Sequence, residues 1–71
     1  MMLKIGRVKW YNEAKGYGFI SPNDGGSDLY VSRMSIANTK NKSLLEGQQV
    51  EFTCYHSVYH GLSAADVIAL H

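Results

Sequence analysis

The segment that most constrains the fold is Lys15-Gly16-Tyr17-Gly18-Phe19-Ile20. Side chains alternate between the two faces of a strand, so Tyr17 and Phe19 share one face while Ile20 points to the other. If Ile20 faces the core, the rings of Tyr17 and Phe19 face away from it. Protein surfaces that stack on nucleic-acid bases have this arrangement, and Lys15 would offer a cation for a phosphate. The alternative is that both rings are core and Ile20 is exposed.

The length of 71 residues and the single cysteine limit how the chain is stabilised. A core of this size contributes roughly 3–5 kcal/mol, and one cysteine excludes an intrachain disulfide, which indicates a reducing compartment. The alternation of Val50, Phe52 and Cys54 predicts a buried apolar cysteine rather than a reactive thiol. With no apolar run longer than residues 67–70, we expect a soluble, cytoplasmic protein with no membrane contact.

The basic residues all lie in the first part of the chain. Residues 1–42 hold seven Lys and Arg against three carboxylates, 7 − 3 = +4, and residues 43–71 hold three carboxylates and no Lys or Arg, 0 − 3 = −3. This asymmetry predicts one cationic face. The alternative is that a small chain divides its charges unevenly by chance.

Alternation and turn residues predict five short strands, within residues 3–11, 17–22, 28–32, 50–55 and 63–70. Residues 23–27 form a strong turn signal, and residues 33–37 are sufficient for one helical turn. Five strands with one long connection after the third are typical of a small barrel, and an all-β, five-stranded OB-type barrel fits best. An SH3-like barrel is the alternative.

The first strand does not alternate perfectly. Strict alternation puts Val8 and Trp10 on the same face. If Val8 is buried and Trp10 is exposed, the strand must twist or bulge between them.

The ordered set of motifs resembles the bacterial cold-shock protein family over essentially the whole chain. The motifs are Gly6-Arg7-Val8-Lys9-Trp10-Tyr11-Asn12, residues 15–20, Asp28-Leu29-Tyr30-Val31, Glu46-Gly47-Gln48 and Ala64-Ala65-Asp66-Val67. The resemblance implies one cold-shock domain over residues 1–71, with a five-stranded OB-fold (Greek key) barrel. It also implies binding of single-stranded RNA and DNA through two ribonucleoprotein-type motifs on the second and third strands.

The resemblance also implies a role for individual residues. The stacking aromatics of the family match Trp10, Tyr17, Phe19 and Tyr30, and Tyr11 matches a ring at the margin of that surface. Phosphate-contacting cations match Lys9 and Lys15, and Asp28 matches the acidic residue that begins the second motif.

The chain departs from the family on the same surface. Ser32 and Arg33 stand where histidine and phenylalanine are usual, Asn41 replaces a loop aromatic, and Leu62 replaces a proline. Each lost ring removes a base-stacking position worth about 1–3 kcal/mol. Arg33 either compensates in part by stacking its guanidinium on a base or is an ordinary solvated side chain.

Metal and catalytic sites are not indicated. The spacing of Cys54, His56 and His60 matches no zinc signature, and we interpret the histidines as loop residues, one of which contacts a ligand. No nucleophile has a plausible base, and no paired carboxylates occur at a catalytic spacing. We expect no cofactor, no small-molecule substrate and no enzymatic activity.

The leading hypothesis is an ATP-independent RNA chaperone or transcription antiterminator that binds single strands with low sequence specificity. The alternative is a divergent domain with weakened binding that serves protein–protein contact or homodimerisation, which the apolar pair Val58-Tyr59 would favour. We expect a monomer, with a homodimer as the alternative.

Overall fold

The computed structural model describes residues 3–38 and 42–70, so Asn41 lies outside the described residues. It contains β1 (Leu3–Asn12), β2 (Tyr17–Pro22), β3 (Leu29–Ser32), β4 (Gln49–Ser57) and β5 (Gly61–Ala69), with one 3₁₀ turn at Arg33–Ser35. All five predicted strands are confirmed. Their bounds differ from the prediction by up to two residues, since hydrogen bonding extends β4 and β5 into the turn that joins them.

The strands close into a barrel in the order β1-β2-β3-β5-β4. Antiparallel pairing of β1 with β4 completes the closure, and β3 runs parallel to β5, where Tyr30 pairs with Ser63. The long connection after β3, strand β4 and the turn after it separate β3 from β5, which is more chain than a parallel pairing requires. The expected five-stranded OB-type architecture is therefore confirmed.

The core consists of buried apolar side chains that face the barrel interior: Val8, Ile20, Leu29, Val31, Ile36, Leu44, Val50, Phe52, Ala64 and Val67. Ile20 is fully buried, whereas Tyr17 and Phe19 are only partly buried. The prediction that Ile20 is core and the two rings face outward is therefore confirmed. Cys54 is half-buried at the edge of the core rather than fully inside it. The prediction that Cys54 is buried is therefore only partly correct.

A bulge in β1 resolves the imperfect alternation of that strand. Val8 pairs with Ile20 and Trp10 pairs with Phe19, so two steps along β1 match one step along β2. Lys9 is the extra residue. The bulge lets Val8 join Ile20 in the core while Trp10 joins Phe19 on the outer face.

Candidate nucleic-acid interface

Four partly buried rings lie together on the outer face of β1, β2 and β3. We call Trp10, Tyr17, Phe19 and Tyr30 the aromatic cluster. Trp10 lies 5.5 Å from both Tyr17 and Phe19 between ring centroids, and Tyr30 lies 5.8 Å from Tyr17 and 6.0 Å from Phe19. Such separations are typical of aromatic pairs that stabilise one another. The cluster is therefore a continuous apolar surface with ring faces and edges open to a ligand.

Strand pairing explains how the cluster forms. Phe19 is paired with Trp10 on one side and with Tyr30 on the other, and side chains of paired residues lie on the same face of a sheet. Gly18 makes the close approach of β1 and β2 possible. A Cβ atom there would clash with the Trp10 carbonyl oxygen and would lie only 2.8 Å from the Tyr11 Cα, so any larger residue would push the strands apart.

His60 extends the aromatic cluster beyond β3. It lies in the turn between β4 and β5, and its ring stacks on Tyr30 with a centroid distance of 3.9 Å and an interplanar angle of 10°. Tyr17, Phe19, Tyr30 and His60 line a depression of about 360 Å³. His60 lies in a turn, as predicted, and covers part of the Tyr30 face. The prediction that His56 is a loop residue is wrong, because pairing with β5 extends β4 through it.

Lys9 and Asp28 form an ion pair beside the cluster. Lys9 Nζ donates to Asp28 Oδ2 at 2.9 Å, and Ser21 Oγ donates to the other carboxylate oxygen at 3.1 Å. The hydrogen bond from Lys9 is the main cause that holds the pKa of Asp28 below its ordinary value of 3.8. The pair therefore persists at neutral pH and is lost as the pH falls through that lowered pKa. A phosphate that binds Lys9 must compete with Asp28.

Lys15 lies in the turn that connects β1 to β2. Its backbone N–H donates to Asn12 Oδ1 at 2.9 Å, and its side chain is exposed. Gly16, next in the chain, has a φ of +75°, which glycine adopts without strain. The turn therefore fixes the backbone at Lys15, two residues before Tyr17, the first ring of β2.

Tyr11 is not part of the aromatic cluster. Its ring packs against the hydrophobic core, and its hydroxyl donates to the Lys42 carbonyl at 3.1 Å. The bulge at Lys9 is the reason, because it turns Trp10 outward and so returns the next residue to the inner side. The structure thus places Tyr11 beneath the binding surface, where it anchors the loop that contains Lys42.

The two residues that depart from the family pattern at the end of β3 make local contacts. Ser32 Oγ accepts a hydrogen bond from the Met34 N–H at 3.2 Å and caps the 3₁₀ turn. Arg33 Nη2 donates to the Glu13 carbonyl at 2.6 Å, and the guanidinium lies over Gly16. Arg33 therefore ties β3 to the β1–β2 turn, an arrangement that neither alternative from the sequence describes.

Tyr59 is an aromatic residue near this surface for which the sequence pattern indicates only protein contact. Its ring is 87% exposed and lies 6.5 Å from His60 between centroids. The sequence signal was the adjacency of Tyr59 and His60. This adjacency matters for binding because the turn between β4 and β5 brings both rings to the edge of the aromatic cluster.

Within residues 3–38 and 42–70, no group of three or more His, Cys, Asp and Glu side chains could hold a metal ion. Cys54 lies in β4, and His60 lies in the turn that follows this strand. No helix in the described part of the chain is long and apolar enough to cross a membrane.

Residues 4–70 match the family model described as 'Cold-shock' DNA-binding domain. The Cold shock-like protein CspE of Escherichia coli (strain K12) is 51% identical over 70 residues, which cover 97% of this chain and 100% of that protein. The Cold shock-like protein CspG of Shewanella violacea is 48% identical over 65 residues, covering 92% of this chain and 91% of that protein.

A solved structure, drosophila Unr CSD456, gives the same result for the fold. It superposes with a TM-score of 0.78 at 18% identity over 99% of this chain, which spans 27% of that longer chain. At this identity the similarity concerns the fold alone. The family match and the identity with the two bacterial proteins cover nearly all of the sequence, and the chain therefore belongs to the cold-shock domain family of nucleic-acid-binding proteins.

Proposed function

We propose that this protein binds single-stranded RNA and DNA with low sequence specificity and acts as an ATP-independent RNA chaperone or transcription antiterminator. The aromatic cluster is the observation that carries the proposal. Four rings at 5.5–6.0 Å spacing lie on one sheet face, and every base has a flat face that can stack on such a surface. Recognition by stacking tolerates any sequence, because it does not depend on base-edge hydrogen bonds.

The proposed binding residues have different roles. Bases stack on the aromatic cluster, and His60 contributes a further ring at Tyr30. Lys9 and Lys15 contact phosphates, and Asp28 holds Lys9 in position until a phosphate displaces it. Ser32, Arg33 and Tyr11 support the surface through the contacts described above. We propose that residues 1–71 form one domain and that the protein is a monomer.

Chaperone activity follows from selective binding to unpaired strands. A ligand that binds only the open form of a hairpin stabilises that form by RT ln(1 + [L]/Kd), which is about 2.7 kcal/mol at 100 times Kd. That free energy is comparable to one or two base-pair steps, at about 1.4 kcal/mol each. The protein would therefore open hairpins that are only marginally stable and leave long duplexes closed. Antitermination would require that it bind the transcript before a terminator stem pairs.

A fluorophore–quencher RNA hairpin tests this activity. We expect the protein, without ATP, to raise the fluorescence of a hairpin with a short stem and an unstructured pyrimidine-rich loop, because binding to the open strand shifts the equilibrium. The matched control is a hairpin with the same loop and a long stem, which should stay closed. A short-stem hairpin that stays closed at protein concentrations that saturate an unstructured RNA would rule out the chaperone role.

A further inference from the structure

We infer that Tyr59, in the turn between β4 and β5, is an additional base-stacking position that extends the aromatic cluster. Its ligand is one more base of the bound single strand, past the base at Tyr30 and His60. The inference rests on the proposed function and adds to it a binding residue that neither the motifs nor the family resemblance assigned. It also gives the β4–β5 turn of this chain a function.

The rings form a row that continues past β3. The aromatic cluster spans β1, β2 and β3. Next to β3, on the side away from β2, lies β5, and the row of rings continues from Tyr30 in that direction. His60 stacks on Tyr30, and Tyr59 lies 6.5 Å from His60 at an angle of 58°. That separation is close to the 5.5–6.0 Å between neighbours within the cluster. A strand crossing the cluster therefore meets Tyr59 at about the same spacing as it meets the other rings.

Hydrogen bonds hold Tyr59 in a defined position. Ser57 Oγ accepts from the backbone N–H of Tyr59 at 3.1 Å and from that of His60 at 3.3 Å. Gly61, with a φ of +72°, returns the chain into β5 without strain. A ring held on an ordered turn loses less conformational entropy when it binds a base than a ring on a flexible loop does.

Continuity with the aromatic cluster favours a nucleic-acid base as the occupant over a second protein. Tyr59 is 87% exposed, so its ring is open to a base. Residues 55–65 contain no charged Asp, Glu, Lys or Arg side chain, so the turn offers stacking and neither attracts nor repels a phosphate strongly. The turn is also continuous with the aromatic cluster, so one strand can occupy both.

The test compares oligothymidylates of two lengths. One has about four nucleotides and the other about eight, both within the roughly 4–16 nucleotides that an OB fold covers. We expect Tyr59→Ala to weaken binding of the longer strand by between about 5-fold and 150-fold, the range of one base–aromatic stack. Binding of the shorter strand, followed by quenching of Trp10, should change by less than about 2-fold. Tyr59→Phe, which keeps the ring, and the neighbouring Val58→Ala should both bind like the parent.

An abasic site sharpens the test. Two versions of the longer strand are compared, each lacking the base at a different end. Only one terminal base reaches Tyr59, so Tyr59→Ala should not change the affinity for the strand that lacks this base. It should weaken binding of the other strand as fully as it weakens binding of the intact one. Equal affinity of Tyr59→Ala and the parent for the longer strand overturns the inference. So does an equal loss for both lengths, which would mean that Tyr59 only positions His60.

Sedimentation of the free protein separates the two kinds of failure. If Tyr59→Ala converts a dimer to a monomer without changing affinity for either strand, Tyr59 serves contact between copies, and the inference is wrong while the proposed function stands. If the parent quenches with neither strand, the proposed function fails, and the inference fails with it.

Discussion

Replacing Phe52 by alanine is expected to destabilise the barrel by about 3–5 kcal/mol, the cost of removing a buried phenylalanine ring. Phe52 is fully buried and belongs to the one core cluster defined by the described residues. A domain of this size has roughly 3–5 kcal/mol of net stability from its core. The loss therefore approaches the whole stability of the fold, and most of the variant should be unfolded at room temperature.

Urea titration followed by far-UV circular dichroism measures this effect. The matched variant is Phe52→Leu, which keeps most of the apolar volume and should lose less than about 1.5 kcal/mol. Both variants should fold at low temperature in stabilising salt if the core account is right. If Phe52→Ala unfolds at the same urea concentration as the parent, Phe52 does not have the packing role that its burial indicates.

Replacing Phe19 by alanine is expected to weaken binding strongly, because it removes one ring from the aromatic cluster. Phe19 contacts Trp10 on one side and Tyr30 on the other, so its removal deletes one stacking position and leaves two neighbours less supported. We expect affinity for a short oligothymidylate to fall by about 1–3 kcal/mol. The loss of folding stability should be near 1 kcal/mol, because Phe19 is only partly buried.

The adjacent Ile20 provides the matched control. Ile20 is fully buried, so Ile20→Ala should lose about 2–5 kcal/mol of stability. Its folded fraction should bind like the parent. Phe19→Leu, which has similar apolar bulk without a ring, should bind nearly as weakly as Phe19→Ala. If Phe19→Ala unfolds while Ile20→Ala is stable, the two faces of β2 are assigned the wrong way round.

The inner and outer faces of the strands were predictable because their alternation is local. The parity of Tyr17, Phe19 and Ile20 needs only the strand period, and the structure confirms it. The need for a bulge between Val8 and Trp10 was predictable, because a regular strand cannot bury the Val8 side chain and also expose the Trp10 side chain. Its position at Lys9 needed the pairing register with β2.

Contacts between distant parts of the chain could not be predicted from the sequence. The stacking of His60 on Tyr30 depends on the parallel pairing of β3 with β5, which brings the β4–β5 turn beside β3. The contact of Arg33 with the Glu13 carbonyl depends on where the chain leaves β3. Local patterns carry no information on either geometry, because both depend on how the barrel closes.

Whether the aromatic cluster binds unpaired bases can be measured by titrating the fluorescence of Trp10. Trp10 is the single tryptophan of the chain and lies 5.5 Å from Tyr17 and Phe19, so its emission reports on the cluster alone. A pyrimidine-rich single strand is predicted to quench this emission saturably, and the same sequence in a duplex is predicted to leave it unchanged. Unchanged emission with the single strand at high micromolar concentration, or equal quenching by the duplex, would contradict the claim.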